Sequence, residues 1–467
     1  MKGLLAACGI AAVLLFAFLG ARAIQNPDEP REAETARECA AGEWTVIPEM
    51  NGKPFLERPP LYYWMTAAAI RLAGEPTDFA AKAASALLGI VAVAGVWLAA
   101  EALLGAGWGF TAAILLLGLP YLLTRFRTGV GDTGLAAFTA LSLGLFFRAH
   151  VRNSWTLALA AGLAAGLGFL CKGLLGYAIP ALAAGSFLAL RRDWGAFVRL
   201  RLWAAVLVGL AVAVPWVMAL HAETGAEGMK RFFIWNHFGR FGADADHSQP
   251  FWFYVCILWA ALPLTPLAAL ALRRGPEGER DARLAGLCWL LAPTLLLSLA
   301  TGKRVVYLLP MLPGFALAGA AVLKGLPGPG GAAWARRAVL ASAAAAAVTA
   351  GVDSFLAPTW NETHSGYPLA ARLEGLAAGR PLVPFRVGEG KIGQFCWALR
   401  RKLPWVWEEK ALRRAVGGGT AIVFAQEKDI REAEKSGALS PEAVASLRQV
   451  GDWDCDGNNY HVYEWRP

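Results

Sequence analysis

The chain has 467 residues, of which 56% are hydrophobic and only 17% are Asp, Glu, Lys or Arg. Soluble domains carry about 25% charged residues, so this composition excludes an ordinary soluble enzyme. The formal net charge of +9 does not indicate a nucleic-acid partner, because the basic residues lie in short loops between apolar blocks, where they orient membrane spans. The blocks are roughly 17–25 residues long, which suits helices that cross a hydrocarbon core of about 30 Å.

The apolar blocks predict an all-α polytopic membrane protein with about 11–13 transmembrane helices and additional interfacial helices. The first block, LLAACGIAAVLLFAFLGARA, follows Lys2. Its end resembles a signal-peptide cleavage site, but the later blocks already require several spans, so a retained first span is the simpler interpretation. About ten further spans are centred on 80–104, 108–124, 131–148, 155–171, 173–190, 202–220, 251–272, 284–300, 303–323 and 334–356. The apolar segment 59–73 is short, which favours a re-entrant or interfacial helix.

The loops orient the chain in the membrane. With the N-terminus inside, every inside loop is basic, as the positive-inside rule expects. The same orientation places 25–79, 221–250 and the C-terminal tail outside. We therefore predict a transmembrane domain over 1–357, with outside loops 25–79 and 221–250, and a small soluble extracytoplasmic α/β domain over 358–467.

The tail has short apolar runs bounded by Gly and Pro. LVPFRV and TAIVFAQ predict buried strands, and HVYEWRP is a candidate for a last strand. IGQFCWALRRKL and SPEAVASLRQVG predict helices, the second with Ser440 as its N-cap and Pro441 at its first position. Cys396 and Cys455 are candidates for one disulfide if the tail faces an oxidising compartment.

The outside segment after the first span begins NPDEPREAETARECAAGEW. It predicts an amphipathic helix at the membrane interface, with Asp28 at the N-cap. A carboxylate fixed there can accept a proton, orient an acceptor group or bind a metal. The simpler alternative for Asp28 and Glu29 is that they are solvated loop charges.

Two further outside segments carry charge at the ends of spans. In NGKPFLERPPLYYW, Arg58 offers a planar fork that suits a phosphate, although an ion pair with Glu57 is the simpler alternative. In RFRTGVGDTGLAAF, Asp132 begins a span, where an acidic residue is a functional candidate. Its alternative role is to cap the helix.

The remaining outside segments are basic and aromatic. MKRFFIWNHFGRFGADADHSQPFWFY contains two histidines with acids nearby, a possible divalent-metal site whose spacing matches no standard zinc pattern. Its basic and aromatic residues could instead bind lipid headgroups. In ATGKRVVYLLPMLP, Lys303 and Arg304 precede Tyr307 and oppose the dipole of the helix they begin, which an anionic ligand would explain.

These segments gather acids and cations on one face of the membrane, which favours a polyprenyl-phosphate sugar donor held by its phosphate. The alternative of another class is a lipid-linked sugar transporter or flippase. Transporters usually carry acids in mid-span and broken helices in two related halves. We find no internal repeat in this sequence.

The outside segments resemble the GT-C superfamily of lipid-phosphate-sugar glycosyltransferases, and most closely the group of the bacterial aminoarabinose transferases of lipid A and the protein O-mannosyltransferases. Residues 28–64 carry the signature, DEPREAETARE, GEW and NGKPFLERPPLYYW. The likeness continues through GD at Asp132, HFGRF and KRVVYLLPMLP. Departures from the family pattern are Glu32 and Phe55, where Tyr is common, and Arg58, where Lys is usual.

The resemblance implies a GT-C-type enzyme of the bacterial inner membrane that faces the periplasm. It would transfer a sugar from undecaprenyl phosphate to lipid A, to another envelope glycan or, as in the mannosyltransferases, to a protein. Asp28 and Asp132 would be the catalytic acids, with Glu29 beside the first. The implied donor-phosphate ligands are Arg31, Arg58, Arg240, Lys303, Arg304 and Tyr307. In some relatives an acid and a histidine hold a metal, for which Glu57 and His237 are the candidates here.

Overall fold

The computed structural model describes residues 2–25, 27–42, 45–239, 242, 247–273 and 277–466. The chain divides into two compact units. The first unit comprises Met1–Leu19, Leu56–Met65 and Lys82–Asp353, and the second unit comprises Gly20–Phe55, Thr66–Ala81 and Ser354–Pro467. The second unit thus includes parts of the predicted loop 25–79 as well as the predicted domain 358–467.

Helices dominate the chain up to residue 355. In chain order they are α1 (Lys2–Phe16), α2 (Glu29–Ala41), α3 (Leu61–Ala73), α4 (Asp78–Leu104), α5 (Trp108–Leu117), α6 (Pro120–Phe126), α7 (Asp132–Arg152), α8 (Trp155–Lys172), α9 (Leu175–Arg191), α10 (Ala196–Arg199), α11 (Leu202–Lys230), α12 (Ile257–Ala260), α13 (Thr265–Ala271), α14 (Arg280–Leu299), α15 (Leu312–Lys324) and α16 (Gly328–Phe355). A π-helical segment, Arg231–Phe238, continues α11, and 3₁₀ segments cover Phe251–Cys256, Glu277–Glu279 and Val305–Met311. A two-stranded hairpin, β1 (Glu49–Met50) and β2 (Lys53–Pro54), follows α2.

Among the described residues, seven helices are long and apolar enough to cross a membrane. Two bent pairs raise this number to nine if each pair is one span, and α1 and α9 are shorter apolar helices. The multi-pass helical membrane fold predicted from the apolar blocks is therefore confirmed. The blocks at 108–124 and 251–272, each predicted as one span, form bent helix pairs. The pair α5–α6 is bent by 79°, and the pair that ends in α13 is bent by 115°.

Glycines let several membrane helices pack with their backbones almost in contact. A Cβ on Gly144 of α7 would lie 2.2 Å from the carbonyl oxygen of Gly95 in α4. A Cβ on Gly162 of α8 would lie 2.0 Å from the carbonyl oxygen of Ala205 in α11. Small residues at helix contacts are typical of membrane proteins, where close packing replaces the hydrophobic drive that holds helices together in water.

The predicted outside loops are more regular than the sequence suggested. Residues 221–238 are not a loop, because α11 continues to Lys230 across a kink at Gly225 and the π-helical segment ends at Phe238. Nor does α2 have the predicted amphipathic pattern, since Glu32 and Glu34 are buried as well as Ala33 and Ala36.

The C-terminal residues form a small α/β fold in the second unit, as predicted. Its elements are α17 (Ala357–His364), α18 (Tyr367–Ala377), β3 (Leu382–Pro384), α19 (Glu389–Leu399), α20 (Glu409–Val416), β4 (Ala421–Gln426), α21 (Glu427–Lys435), α22 (Pro441–Ala445), β5 (Leu447–Cys455) and β6 (Asn458–Trp465). The sheet order is β3-β4-β6-β5, with β3 parallel to β4 and the other pairs antiparallel. Val423, Leu412 and Trp465 lie in its apolar core.

Two predictions for the tail are wrong. The helix that begins at Pro441 ends at Ala445, after which the same run continues as β5; Ser440 does cap it, because its hydroxyl accepts from the amide of Ala443. The disulfide does not form, since Cys396 and Cys455 are both free and buried. The Cys396 thiol instead contacts the side chain of Asn51 at 3.7 Å.

Candidate functional site

The first unit holds a cluster of charges around Asp132, the first residue of α7. One carboxylate oxygen, Oδ1, contacts the ammonium group of Lys172. The other, Oδ2, lies 3.3 Å from Nη2 of Arg58. The carboxylate does not cap α7, so its alternative role as a helix cap is excluded. Asp132 instead joins two cations that come from distant parts of the sequence.

The surrounding backbone and hydroxyl groups explain how this geometry arises. Gly131 leaves room for Arg58, because a Cβ at Gly131 would lie 2.9 Å from Nη1 of the guanidinium group. A chain of buried hydroxyls then links the helix carrying Tyr62 to the start of α7. Tyr62 is 2.9 Å from Ser85, and Ser85 is 3.1 Å from Thr133.

Lys172 is the residue of this cluster that the sequence analysis missed. It ends α8, and its ammonium group lies 5.1 Å from the centre of the Tyr307 ring, within range of a cation–π contact. The signal was present, since Lys172 is the one charged residue on a short predicted outside turn between two apolar blocks. A charge that interrupts a run of this kind is a functional candidate.

The cluster lies in a poorly hydrated place. The side chains of Arg58, Asp132 and Lys172 are 7%, 4% and 10% exposed, and Arg304 is close enough to Asp132 to interact with its charge. Two largely buried cations therefore contact one carboxylate, with the charge of Arg304 nearby. Preorganised cations of this kind would interact strongly with an anionic ligand.

Two further predicted phosphate ligands are Lys303 and Arg240. The ammonium group of Lys303 donates to the carbonyl of Gln249 at 2.9 Å, and its amide donates to the carbonyl of His247. Lys303 thus holds the backbone in front of the 3₁₀ segment that carries Tyr307. Arg240 lies outside the described residues.

The second unit holds the other predicted acids at the start of α2. Nη2 of Arg31 lies 3.2 Å from Oδ1 of Asp28, and the same guanidinium group approaches Glu389 at 3.9 Å. Asp28 occupies the N-cap position of α2, as predicted, but its side chain, which is 13% exposed, makes no cap hydrogen bond to the helix. Because Arg31 faces two carboxylates, its position favours orienting Asp28 over binding a phosphate.

Glu29 is held more tightly than Asp28. Its Oε1 accepts from Arg22 at 3.1 Å, and its Oε2 accepts from the amide of Gln25 at 3.1 Å. With a side chain only 5% exposed, Glu29 fixes the turn that precedes α2.

The residues proposed for a metal do not fit one. His237 has both ring nitrogens engaged: Nε2 accepts from the amide of Leu174 at 3.1 Å, and Nδ1 donates to the carbonyl of Phe232 at 2.8 Å. Within the described part of the chain, no group of three or more His, Cys, Asp or Glu side chains has the arrangement of a metal site. Glu57 is exposed.

The structure thus brings Arg58, Asp132, Arg304 and Tyr307 together in the first unit, with Lys172 as an addition. It brings Asp28, Glu29 and Arg31 together in the second unit.

Comparison with known proteins gives a consistent result. A model of the dolichyl-phosphate-mannose-protein mannosyltransferase family matches residues 57–218. An undecaprenyl phosphate-alpha-4-amino-4-deoxy-L-arabinose arabinosyl transferase of Pseudomonas aeruginosa is 35% identical over 306 residues, which cover 62% of this chain and 54% of that protein. One from Aeromonas salmonicida is 32% identical over 315 residues, which cover 64% and 56%. The chain spans about half the length of the curated relatives it matches.

Solved structures extend the likeness to the whole chain. ArnT from Cupriavidus metallidurans bound to undecaprenyl phosphate matches with a TM-score of 0.77 at 21% identity, covering 98% of this chain and 97% of that one. An oligosaccharyltransferase of Archaeoglobus fulgidus matches with a TM-score of 0.54 at 13% identity, covering 86% and 64%. The chain therefore has the fold of ArnT, and the resemblance to GT-C lipid-phosphate-sugar glycosyltransferases predicted from residues 28–64 is confirmed.

Proposed function

We propose that this chain is a membrane glycosyltransferase that moves a sugar from an undecaprenyl phosphate donor to lipid A or another envelope glycan. The observation that carries the proposal is the buried cation cluster of Arg58 and Lys172 on Asp132. The names of the relatives support an undecaprenyl phosphate donor, and a neighbouring structure was solved with undecaprenyl phosphate bound. The expected partners are membrane lipids, the polyprenyl-phosphate-linked sugar donor and a lipid or glycan acceptor.

The cations would act on the leaving group. In the donor, a phosphate joins the undecaprenyl chain to C1 of the sugar and carries one negative charge. When the C1–oxygen bond breaks, the bonding electrons stay with the phosphate, which gains a second negative charge. Arg58, Lys172 and Arg304 would stabilise this developing charge, while Asp132 keeps the first two aligned. Attack from the face opposite the phosphate would invert the configuration at C1.

Asp28 would act on the acceptor. An attacking hydroxyl must lose a proton as the new bond to C1 forms, and a carboxylate can take that proton. Arg31 holds Asp28 in one orientation, and the side chain stays partly exposed. If the acceptor is a phosphate oxygen that is already ionised, no base is needed, and Asp28 would orient the acceptor.

We also propose that the cluster faces the periplasm from the bacterial inner membrane. Asp132 begins α7 and Lys172 ends α8, and the two side chains are in contact. Arg152, at the other end of α7, belongs to a loop that the positive-inside rule assigns to the inside face. Alkaline phosphatase joined after residue 466 should then be active, and joined after residue 153 it should be inactive. The opposite pattern would reverse the orientation.

The family model supports a second candidate, a protein O-mannosyltransferase. This enzyme would use the same phosphate cluster but would transfer mannose to a serine or threonine hydroxyl. It differs from the first candidate in its absolute need for a base on the acceptor side.

The test uses purified full-length protein in detergent micelles, where no gradient can exist. Undecaprenyl phosphate carrying radiolabelled 4-amino-4-deoxy-L-arabinose or mannose is supplied with lipid A or with an acceptor protein. Label that moves to lipid A supports the first candidate, and label that moves to protein supports the second. A flippase would give two results. The label would stay on the donor in every combination, and the protein in vesicles would move the donor across the bilayer.

A further inference from the structure

The π-helical segment Arg231–Phe238 reaches two other backbone segments of the first unit. π-helical turns are rare and often mark functional sites. Two adjacent side chains of this segment, Asn236 and His237, each bond to a main-chain group that lies close in sequence to one of the two cations on Asp132.

His237 contacts the turn between α8 and α9. Its Nε2 accepts from the amide of Leu174 at 3.1 Å. An Nε2 that accepts such a bond carries no proton, so the ring is the neutral tautomer whose Nδ1–H donates to the Phe232 carbonyl at 2.8 Å. Gly173 has a φ of +72°, and a Cβ there would lie 2.4 Å from Nε2. Lys172 immediately precedes this turn.

Asn236 contacts the backbone in front of the other cation. Its Nδ2 donates to the carbonyl of Leu56 at 2.8 Å. Arg58 follows two residues later and lies 3.3 Å from Asp132. The π-helical segment therefore holds the main chain next to both cations, while Asp132 joins their charged ends.

We infer that Asn236 and His237 are positioning residues, which fix Arg58 and Lys172 in the geometry that receives the donor phosphate. This inference rests on the proposed function. It also gives His237 a role that does not involve a metal, because both of its nitrogens already serve main-chain groups. Misplacing a catalytic group by about 1 Å can lower the rate about 100-fold. Loss of either hydrogen bond is therefore expected to lower the rate of sugar transfer.

The first experiment compares His237→Phe, which keeps an aromatic ring but loses both hydrogen bonds, with His221→Gln, which changes an exposed histidine of α11. Hydrogen exchange of the peptide that contains Leu174 should be faster in His237→Phe and unchanged in His221→Gln. Donor kcat/KM should fall by up to about 100-fold in His237→Phe only. In a Lys172→Met background the same change should cost little more, because both changes remove one interaction.

Asn236→Ala provides a second, independent variant in case His237→Phe does not fold. Its loss of kcat/KM should disappear in an Arg58→Met background and persist in a Lys172→Met background. The inference would be overturned if His237→Phe and Asn236→Ala both had the hydrogen-exchange rates and the donor kcat/KM of the wild type. A divalent metal that is present in stoichiometric amount in the wild type and lost from His237→Phe would also overturn it. A wild-type protein that transfers no sugar would refute the proposed function. The hydrogen-exchange experiment would still test whether His237 holds the backbone at Leu174.

Discussion

The two carboxylate oxygens of Asp132 contact different cations, and these contacts limit the chemical roles that the side chain can have. A carboxylate held by Lys172 at Oδ1 and by Arg58 at Oδ2 is poorly placed to take a proton from an acceptor. It is well placed to keep two like charges together in a region of low hydration. Its contribution to transfer should therefore come from alignment.

Replacing Asp132 with Asn tests this role. The amide keeps the shape but removes the charge that balances Arg58 and Lys172. We expect kcat to fall about 100-fold because the cations lose their alignment. The KM for the donor should not rise, because the site becomes more positive. Steady-state kinetics would contradict this role if KM rose while kcat stayed near the wild-type value.

Asp28→Asn tests the acid of the second unit. We expect the variant to fold normally and to lose transfer to a hydroxyl acceptor by about 100- to 10,000-fold, the range of general-base catalysis. Asp452→Asn, at an exposed position of β5, is the matched control. Near-normal turnover by Asp28→Asn with its unfolding temperature unchanged would refute the role of Asp28 as a base.

Glu34 of α2 gives a pH dependence that belongs to the second unit. Burial raises the pKa of this carboxyl from 4.5 to about 7, against the opposing effect of the Arg37 guanidinium. The folded state then binds a proton that the unfolded chain releases above its own pKa. Glu34 therefore stabilises the fold below about pH 4.5, and this stabilisation is lost as the pH rises towards 7, by an amount on the order of 3 kcal/mol.

Glu34→Gln replaces the titratable carboxyl with an amide that does not titrate, so it is a suitable comparison for the wild type. The variant should gain stability relative to the wild type between pH 5 and pH 7 and show a constant difference above pH 7. Unfolding followed by intrinsic fluorescence across this range measures the difference. A wild type that gains on the variant as the pH rises would show that the ion pair with Arg37 outweighs burial.

At the scale of helices and strands, the long apolar blocks were predictable, because a chain segment in lipid must satisfy its own backbone groups. The bends were not, since hydropathy averages over the Gly118–Pro120 break between α5 and α6. The strand after Ala445 was missed because its alternating exposed residues follow a strong helix start at Ser440. The buried acids of α2 were taken for a polar face. The sequence places Arg37 three residues after Glu34, where the two can pair, but it does not show that Glu34 is buried.

Close helix contacts make a prediction at this scale. Gly144→Ala places a Cβ 2.2 Å from the carbonyl oxygen of Gly95, so α7 and α4 must move apart. We expect a loss of stability of about 1–3 kcal/mol, as in overpacked cores. The control is Gly185→Ala in α9, where a Cβ would meet nothing within 4 Å. Alanine is the better helix former, so the control should be neutral or slightly stabilising. Equal thermal stability of the two variants would contradict the close approach.

Across the whole chain, the sequence predicted which residues lie together better than it predicted what each side chain contacts. Arg58, Asp132, Arg304 and Tyr307 were named from separate motifs, and they lie together in the first unit. Lys172 was missed because it belongs to no motif, although a charge between two apolar blocks was a usable signal. Lys303 and His237 were assigned to ligands, but their polar groups are engaged by main-chain atoms, a pairing that sequence spacing does not reveal.

The proposed role of the cluster on Asp132 is to hold the phosphate of undecaprenyl phosphate. Native mass spectrometry of the purified full-length protein can measure the binding of undecaprenyl phosphate directly. The lipid is titrated against the wild type, Lys172→Met and the control Arg152→Met. The control removes an exposed cation from the far end of α7. We predict one bound lipid in the wild type and in Arg152→Met, with an affinity at least about tenfold weaker in Lys172→Met, as expected for a lost charge-assisted contact. Equal affinity in all three proteins would show that Lys172 does not bind the lipid phosphate.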